Sequence, residues 1–363
     1  MDNNRRNLLK ASASSALGTL LLSTHGNASA QSGGDPSGSQ IKSIPPLAGK
    51  LGLRLATCIV GANVTPTVVI VFDDGTLVDL AGAAARYQLS LGFDPHSMLE
   101  LIKSGDAGHA QVQAVAERAR HDKAGLLPVA TARFLAPIPR PDRNIYCVGW
   151  NYLDHFEEGK KARQDKVADK YPDHPVFFTK GTHTMNGPFD PIPFDPTNGP
   201  LMKDWEAELA VVIGRRGRNI AEADAMDHVF GYSAFNDTTE REIQQKRHGG
   251  QWFKGKSLDG HGPMGPWIVS AGAVVLDDVR VICRLNGVEK QNASYQQMYF
   301  KVPRIIAELS RDMTLEPGDI IATGTPSGVG FARKPQEFMK PGDVMETEIT
   351  GVGLIRNTIR QES

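Results

Sequence analysis

Trp205-Glu206-Ala207-Glu208-Leu209-Ala210-Val211-Val212-Ile213-Gly214 is the segment from which the rest of the chain can be read. Its Leu, Val and Ile run, closed by a Gly turn, predicts a β-strand over 206–213. Side chains alternate faces along a strand, so Glu206 and Glu208 share one face. Two like charges a few ångströms apart repel by about 4 kcal/mol at an effective dielectric near 20. A hard divalent cation between them resolves the conflict, since carboxylate oxygens suit Mg²⁺, Mn²⁺ or Ca²⁺. Taken alone, Glu-x-Glu describes a pair of solvated acids equally well.

Asp237 adds to the case. It closes a second predicted strand, 229–236, at its polar end, and makes a natural third carboxylate. Three carboxylates on one cation leave about three of six octahedral positions for water or substrate.

The surroundings are those of an ordinary globular protein. The 363 residues suffice for one large domain or two moderate ones, with 40% hydrophobic and 22% charged residues. A formal charge of −1 offers no electrostatic argument for nucleic acid or an anionic membrane as partner. The 37 glycines and 23 prolines predict many turns, hence a strand-rich α+β fold. No Gly-x-Gly-x-x-Gly follows a strand, which argues against a dinucleotide-binding fold. Cys58, Cys147 and Cys283 form no CxxC or zinc spacing. They are either buried small hydrophobes or, in an oxidising compartment, include one pair.

Residues 1–30 read as a twin-arginine export signal. Arg5-Arg6 lies in a basic start, 11–23 is modestly apolar, and Ala28-Ser29-Ala30 is a small-x-small cleavage site. The apolar run is too short and too rich in Ser and Gly to span a membrane. Export implies a periplasmic protein, and disuse of the signal a cytoplasmic one. Removing the signal takes away Asp2, Arg5, Arg6 and Lys10 and leaves a formal charge of −3. The Gly/Ser/Pro-rich residues 31–49 read as a linker. A small N-terminal α+β domain is expected over 50–138 and a larger domain over 139–363. In the latter, strands are expected near 176–179, 267–270, 279–285, 320–323, 344–349 and 353–359, with a helix over 302–311.

Four motifs, in order, resemble the fumarylacetoacetate hydrolase family, with a match from about residue 50 to the C-terminus. They are the Trp-Glu-Ala-Glu strand; Gly231-Tyr232 with Asn236-Asp237, Arg241 and Gln244; Gly255-Lys256-Ser257-Leu258-Asp259 with Gly262-Pro263-Met264-Gly265-Pro266-Trp267; and Thr323-Gly324-Thr325-Pro326-Ser327-Gly328-Val329-Gly330. The resemblance implies a mixed β-sandwich roll with a helical lid, assembled as a homodimer. It implies one Mg²⁺ or Mn²⁺ per subunit on Glu206, Glu208 and Asp237. Within Asn151-Tyr152-Leu153-Asp154-His155-Phe156-Glu157-Glu158, His155 and Glu158 are i and i+3 on one helix face. Without context they describe a surface ion pair, but they match the catalytic dyad on the family's lid. Lys256, in a tight segment between Gly255 and Ser257-Leu258-Asp259, is expected to act catalytically as a cation that holds a substrate carboxylate or a developing enolate oxygen. Arg241, Gln244 and Thr325 match positions that bind substrate, Thr325 through its hydroxyl and N–H. Tyr152 is assigned to the pocket or the core. His183, His248 and His261, and Trp252 and Trp267, are expected to be structural.

The expected reaction is metal-assisted hydrolysis of a carbon–carbon bond in a small 1,3-dicarbonyl acid such as an acylpyruvate or fumarylpyruvate, as in aromatic catabolism. His155, oriented by Glu158, would activate the water. An alternative keeps the metal and changes the reaction: a decarboxylase, isomerase, hydratase or lyase acting on a 2-oxo acid such as oxaloacetate, a 2-oxo-alkenedioate or ureidoglycolate. An exported binding protein for dicarboxylates is a third reading, but a binder has no need of His155, Glu158 and Lys256 together.

Overall fold

In the computed structural model of the chain, residues 37–48, 52–61, 64–163, 170–198 and 202–362 are described. The expected signal, 1–30, lies outside them, as do 31–36 and 49 of the expected linker.

Strand Ala207–Ile213 is buried along its whole length. Leu209, Val211 and Ile213 pack into one apolar cluster with Trp267, Val281, Cys283, Met345 and Ile355. Ala210 and Val212 pack into another with Leu101, Ile102, Val112 and Val115. With both faces covered, the strand needs no polar alternation, hence its continuous apolar sequence. Each fully buried Val, Leu or Ile stabilises by about 1.5–3 kcal/mol, so the strand is firmly anchored where Glu208 leaves it.

Those two clusters separate three layers. The middle layer is the larger sheet, in the order Leu126–Pro128, Thr76–Asp79, Thr67–Val71, Arg54–Val60, Gly262–Ser270, Val229–Asn236, Ala207–Ile213, Ile320–Ala322, Ile145–Gly149 and Val176–Lys180. One face meets a smaller sheet of Val288–Ser294, Arg280–Leu285, Val344–Ile349, Gly353–Gln361 and Ile192–Phe194. Helices Met98–Lys103 and Gly105–Asp122 cover the other. The expected strand-rich α+β class is the one observed.

The layout differs from the expected division in two places. Strands from residues 50–138 do not close on themselves, because Arg54–Val60 pairs with Gly262–Ser270 as well as with Thr67–Val71. Part of the expected linker is packed: Ser37–Gln40 is a 3₁₀ turn, Ser37 Oγ accepts from the Phe134 N–H at 2.8 Å, and Ala48 N–H bonds to Ala273 O. Strand Gly262–Ser270 also begins earlier than expected. Its glycines and prolines read as turn formers, and the ladder absorbs them with an irregularity between Tyr232 and Ala234.

Helix Val302–Leu309 buries Val302, Ile305, Ile306 and Leu309, a spacing that makes one apolar stripe. The cysteines are buried and unpaired. Among the described residues no helix is long and apolar enough to cross a membrane.

Candidate metal centre and catalytic pocket

The ladder between Ala207–Ile213 and Val229–Asn236 brings the acids together. Ala207 pairs with Asn236, so the start of one strand lies beside the end of the other. Glu206 precedes the strand itself, but its carbonyl accepts from the Asp237 N–H at 2.9 Å and extends the pairing. Glu206, Glu208 and Asp237 are all buried, and each offers a carboxylate oxygen within 4.8 Å of the others.

Two carboxamides fix this corner. Asn236 Oδ1 accepts from Glu206 N–H at 3.1 Å, and Gln291 Oε1 from Ala207 N–H at 3.0 Å. Glu208 accepts from the Gly324 N–H at 2.8 Å. Gly324 has φ +99°, and a Cβ there would lie 2.7 Å from that of Asn151, so this turn requires glycine.

Three buried cations serve the acids. Lys256 Nζ donates to Glu206 Oε2 at 2.5 Å and Asp237 Oδ2 at 2.7 Å. Arg241 donates through Nε to Asp204 at 2.8 Å, and its Nη2 lies 2.7 Å from Glu206 without hydrogen-bond alignment. Lys180 Nζ lies 3.0 Å from Asp237 Oδ1, again misaligned, and donates to the carbonyls of Thr238 and Lys256. Four carboxylates, Asp204 included, therefore face three cations.

Glu208 bears the imbalance. Burial, with the Asp237 and Glu206 charges beside it, pushes its carboxyl well above the ordinary range. Burial opposes ionisation of Glu206 too, but Lys256 and Arg241 outweigh it and bring that carboxyl down to about 2. An uncompensated acid and a buried, unaligned Asp237 oxygen are what a divalent cation would satisfy, so this donor set fits one.

Glu206 and Glu208 open into a small cavity. Its lining includes the polar Glu206, Glu208, Arg241, Gln244, Lys256, His155 and Thr325 and the apolar Val148, Trp150, Phe178 and Trp252. His155 comes from helix Leu153–Arg163, the expected lid. Its Nδ1 is 2.9 Å from Glu158 Oε1, which leaves Nε2 unengaged by Glu158. Both Glu158 oxygens accept from the Gly328 N–H, at 3.0 and 2.9 Å. Asn151 sets the entry to this helix by donating to the Thr323 carbonyl at 2.7 Å and exchanging bonds with Phe300.

Some expected residues stand differently. The Thr325 hydroxyl donates to Ala207 O at 3.0 Å and accepts from Gln291 at 2.7 Å, so its proton serves the scaffold and only its backbone N–H suits a substrate. Lys256 is held between two carboxylates rather than standing free. Trp252, expected in the core, lines the cavity and packs edge-on against Trp150 at 5.1 Å and Phe178 at 5.2 Å. Trp267 is buried, as is Tyr152, which lies outside the cavity lining. His183, His248 and His261 stay outside it too.

Sequence reasoning passed over Asp204, Lys180 and Gln291. Asp204 holds Arg241 while accepting from the N–H groups of Trp205, Gly330 and Phe331. Its place directly before the Trp-Glu-Ala-Glu motif was the available signal.

The family profile described as fumarylacetoacetate (FAA) hydrolase C-terminal matches residues 144–360. Oxaloacetate tautomerase YisK of Bacillus subtilis is 40% identical over 297 residues, covering 80% of this chain and 95% of that protein. A solved fumarylacetoacetate hydrolase from Exiguobacterium antarcticum superposes with a TM-score of 0.69 at 35% identity, over 85% of this chain and all of that one. A maleylpyruvate hydrolase from Sphingobium, solved with manganese(II) and pyruvate, gives 0.64 at 27% identity with the same coverage. The chain belongs to the fumarylacetoacetate hydrolase family.

Proposed function

We propose that the protein interconverts the keto and enol forms of a small 2-oxo acid of the oxaloacetate type. The similarity to an oxaloacetate tautomerase favours this isomerase reading over the hydrolysis expected from sequence. The observation that carries it is His155, which Glu158 holds from behind and which lines the same cavity as Glu206 and Glu208.

A divalent cation held by Glu206, Glu208 and Asp237 would supply positive charge that binds the 2-oxo acid's oxygens and favours its enolate. The rest is the work of the chain. Glu158 holds the Nδ1–H of His155, so Nε2 is the basic nitrogen. Nε2 takes a proton from C3, the C–H electron pair becomes the C2=C3 π bond while the C2=O π pair moves onto oxygen, and the imidazolium then returns its proton to that oxygen. Glu158 stabilises the imidazolium meanwhile. Arg241, Gln244 and the Thr325 N–H hold the substrate's carboxylate end. Lys256 adds positive charge beside the developing enolate. Trp150, Trp252 and Phe178 line the same cavity and exclude water from it.

Hydrolysis of an acylpyruvate is the second reading. Nε2 is equally able to activate water, and a maleylpyruvate hydrolase is among the similar structures. Mg²⁺ and Mn²⁺ are the candidate ions for either reaction. The proposal extends to a homodimer exported by its N-terminal signal.

The test follows oxaloacetate enol absorbance with Mn²⁺ present, alongside a coupled assay for pyruvate. Accelerated relaxation of the enol signal without pyruvate release is the expected result. Pyruvate released from an acylpyruvate, with no effect on tautomer relaxation, would replace the first reading with the second. Inactivity in both assays removes both.

A further inference from the structure

Strand Val288–Ser294 is polar in sequence and sits at the edge of the smaller sheet, yet Gln291 within it is buried. Its carboxamide is fully used. Oε1 accepts from the Ala207 N–H at 3.0 Å, between the two glutamates of the metal centre. Nε2 donates to Thr325 Oγ1 at 2.7 Å and to Pro326 O at 2.8 Å. Thr325 completes a ring by donating to Ala207 O at 3.0 Å. Both backbone groups of Ala207 are thus tied to the turn at 324–328.

That turn also carries the dyad's anchor. Gly328 donates its N–H to Glu158 and has φ +105°. A Cβ on Gly328 would lie 2.1 Å from the Lys290 carbonyl and 3.4 Å from Gln291 Cγ. The turn therefore rests on the strand that presents Gln291. One side chain touches the segment bearing Glu206 and Glu208 and the segment that holds Glu158.

We infer that Gln291 is a positioning residue that keeps the metal-binding carboxylates and the His155–Glu158 pair in register. It touches neither substrate nor metal and acts through Ala207 and Thr325. The inference rests on the proposed metal centre but not on which reaction the centre performs. Groups behind metal ligands commonly alter affinity or activity by about 10–100-fold when removed.

The experiment measures Mn²⁺ binding by titration calorimetry, without substrate, on the full chain. It compares the parent with Gln291→Met, which keeps the shape and removes the hydrogen bonds, and with Thr325→Val and Thr325→Ser. Gln291→Met and Thr325→Val each weaken Mn²⁺ binding by about 10–100-fold. Thr325→Ser, which retains the hydroxyl, restores it. The double variant Gln291→Met/Thr325→Val loses no more than the worse single one, because both remove the same bridge. Should Gln291→Met fail to fold by circular dichroism, the Thr325 pair carries the test. A parent that binds Mn²⁺ and variants that bind it within twofold overturn the inference and leave the metal centre standing. Full additivity of the two losses also overturns it. A parent that takes up no Mn²⁺ removes the metal centre and the inference together.

Discussion

Lys203 and Glu208 are buried in neighbouring stretches of chain, and each is a charge with too little opposite charge around it. At Lys203 the chain supplies a neutral partner. His261 donates its Nδ1–H to Asp259 O at 2.8 Å, and its Nε2 accepts from Lys203 Nζ at 2.6 Å. Burial lowers the Lys203 pKa to about 8, with Glu240, Glu362 and Asp195 opposing. Burial and Lys203 itself keep His261 neutral. At Glu208 the chain supplies one backbone N–H and then two more carboxylates. The ammonium is enclosed against an imidazole, whereas the carboxylate lines a cavity. A buried charge satisfied within the chain is architecture. One left short of partners at an opening is a request for something from outside.

The greatest expected effect separates the two regions outright. Complete removal of divalent ions with EDTA takes turnover to background, and Mn²⁺ or Mg²⁺ restores it, while Lys203→Met leaves that metal dependence in place. Activity surviving full chelation would put Glu208 in the same class as Lys203.

Next in size is His155→Ala. It lowers kcat by about 10²–10⁴-fold, the usual share of a general base. Calorimetry should show Mn²⁺ binding retained, since His155 is not among the three acids. Unchanged turnover would take the dyad out of the chemistry.

Glu208→Gln sharpens the contrast through stability. Removing the uncompensated charge raises the melting temperature of the metal-free protein by about 2 °C, equivalent to about 1 kcal/mol. It also abolishes the further rise that Mn²⁺ gives the parent. A lower melting temperature without metal would mean that the Glu208 charge is already well paired.

The smallest effect is the pH dependence at Lys203. Its folded pKa, about 8, lies below the ordinary lysine value of 10.5. Between these values the unfolded chain holds a proton that the folded chain has released, so folding stability rises with pH across that window. Denaturant titrations from pH 8 to 10 should show the parent gaining on Lys203→Met. A constant difference would mean that Lys203 titrates alike in both states.

What the sequence disclosed was local. The apolar run of 207–213, the acids beside it and the i, i+3 spacing of His155 and Glu158 each express a periodicity that survives folding. Gln291 was hidden because Val288-Glu289-Lys290-Gln291-Asn292-Ala293-Ser294 has the polarity of a loop, and only the neighbouring sheet gives it a buried face. The Thr325 hydroxyl was assigned to substrate because its rival acceptor, Ala207 O, is remote in sequence. Trp252 looked like core because an aromatic side chain carries no sign of whether its neighbours leave a gap. Trp150 adopts φ +55°, which bulky residues rarely do and which local propensity does not foretell.

The ladder joining Arg54 to Val269 also bears on how the molecule is made. A chain emerging from the ribosome holds strand Arg54–Val60 long before Gly262–Ser270 exists, and until then Arg54 and Leu55 lack that partner, while Cys58–Val60 can already pair with Ala132–Phe134. Such distant pairing slows folding, and this ladder can close only once residue 269 has left the ribosome. A fragment stopped at residue 138 would retain an open edge able to recruit other chains.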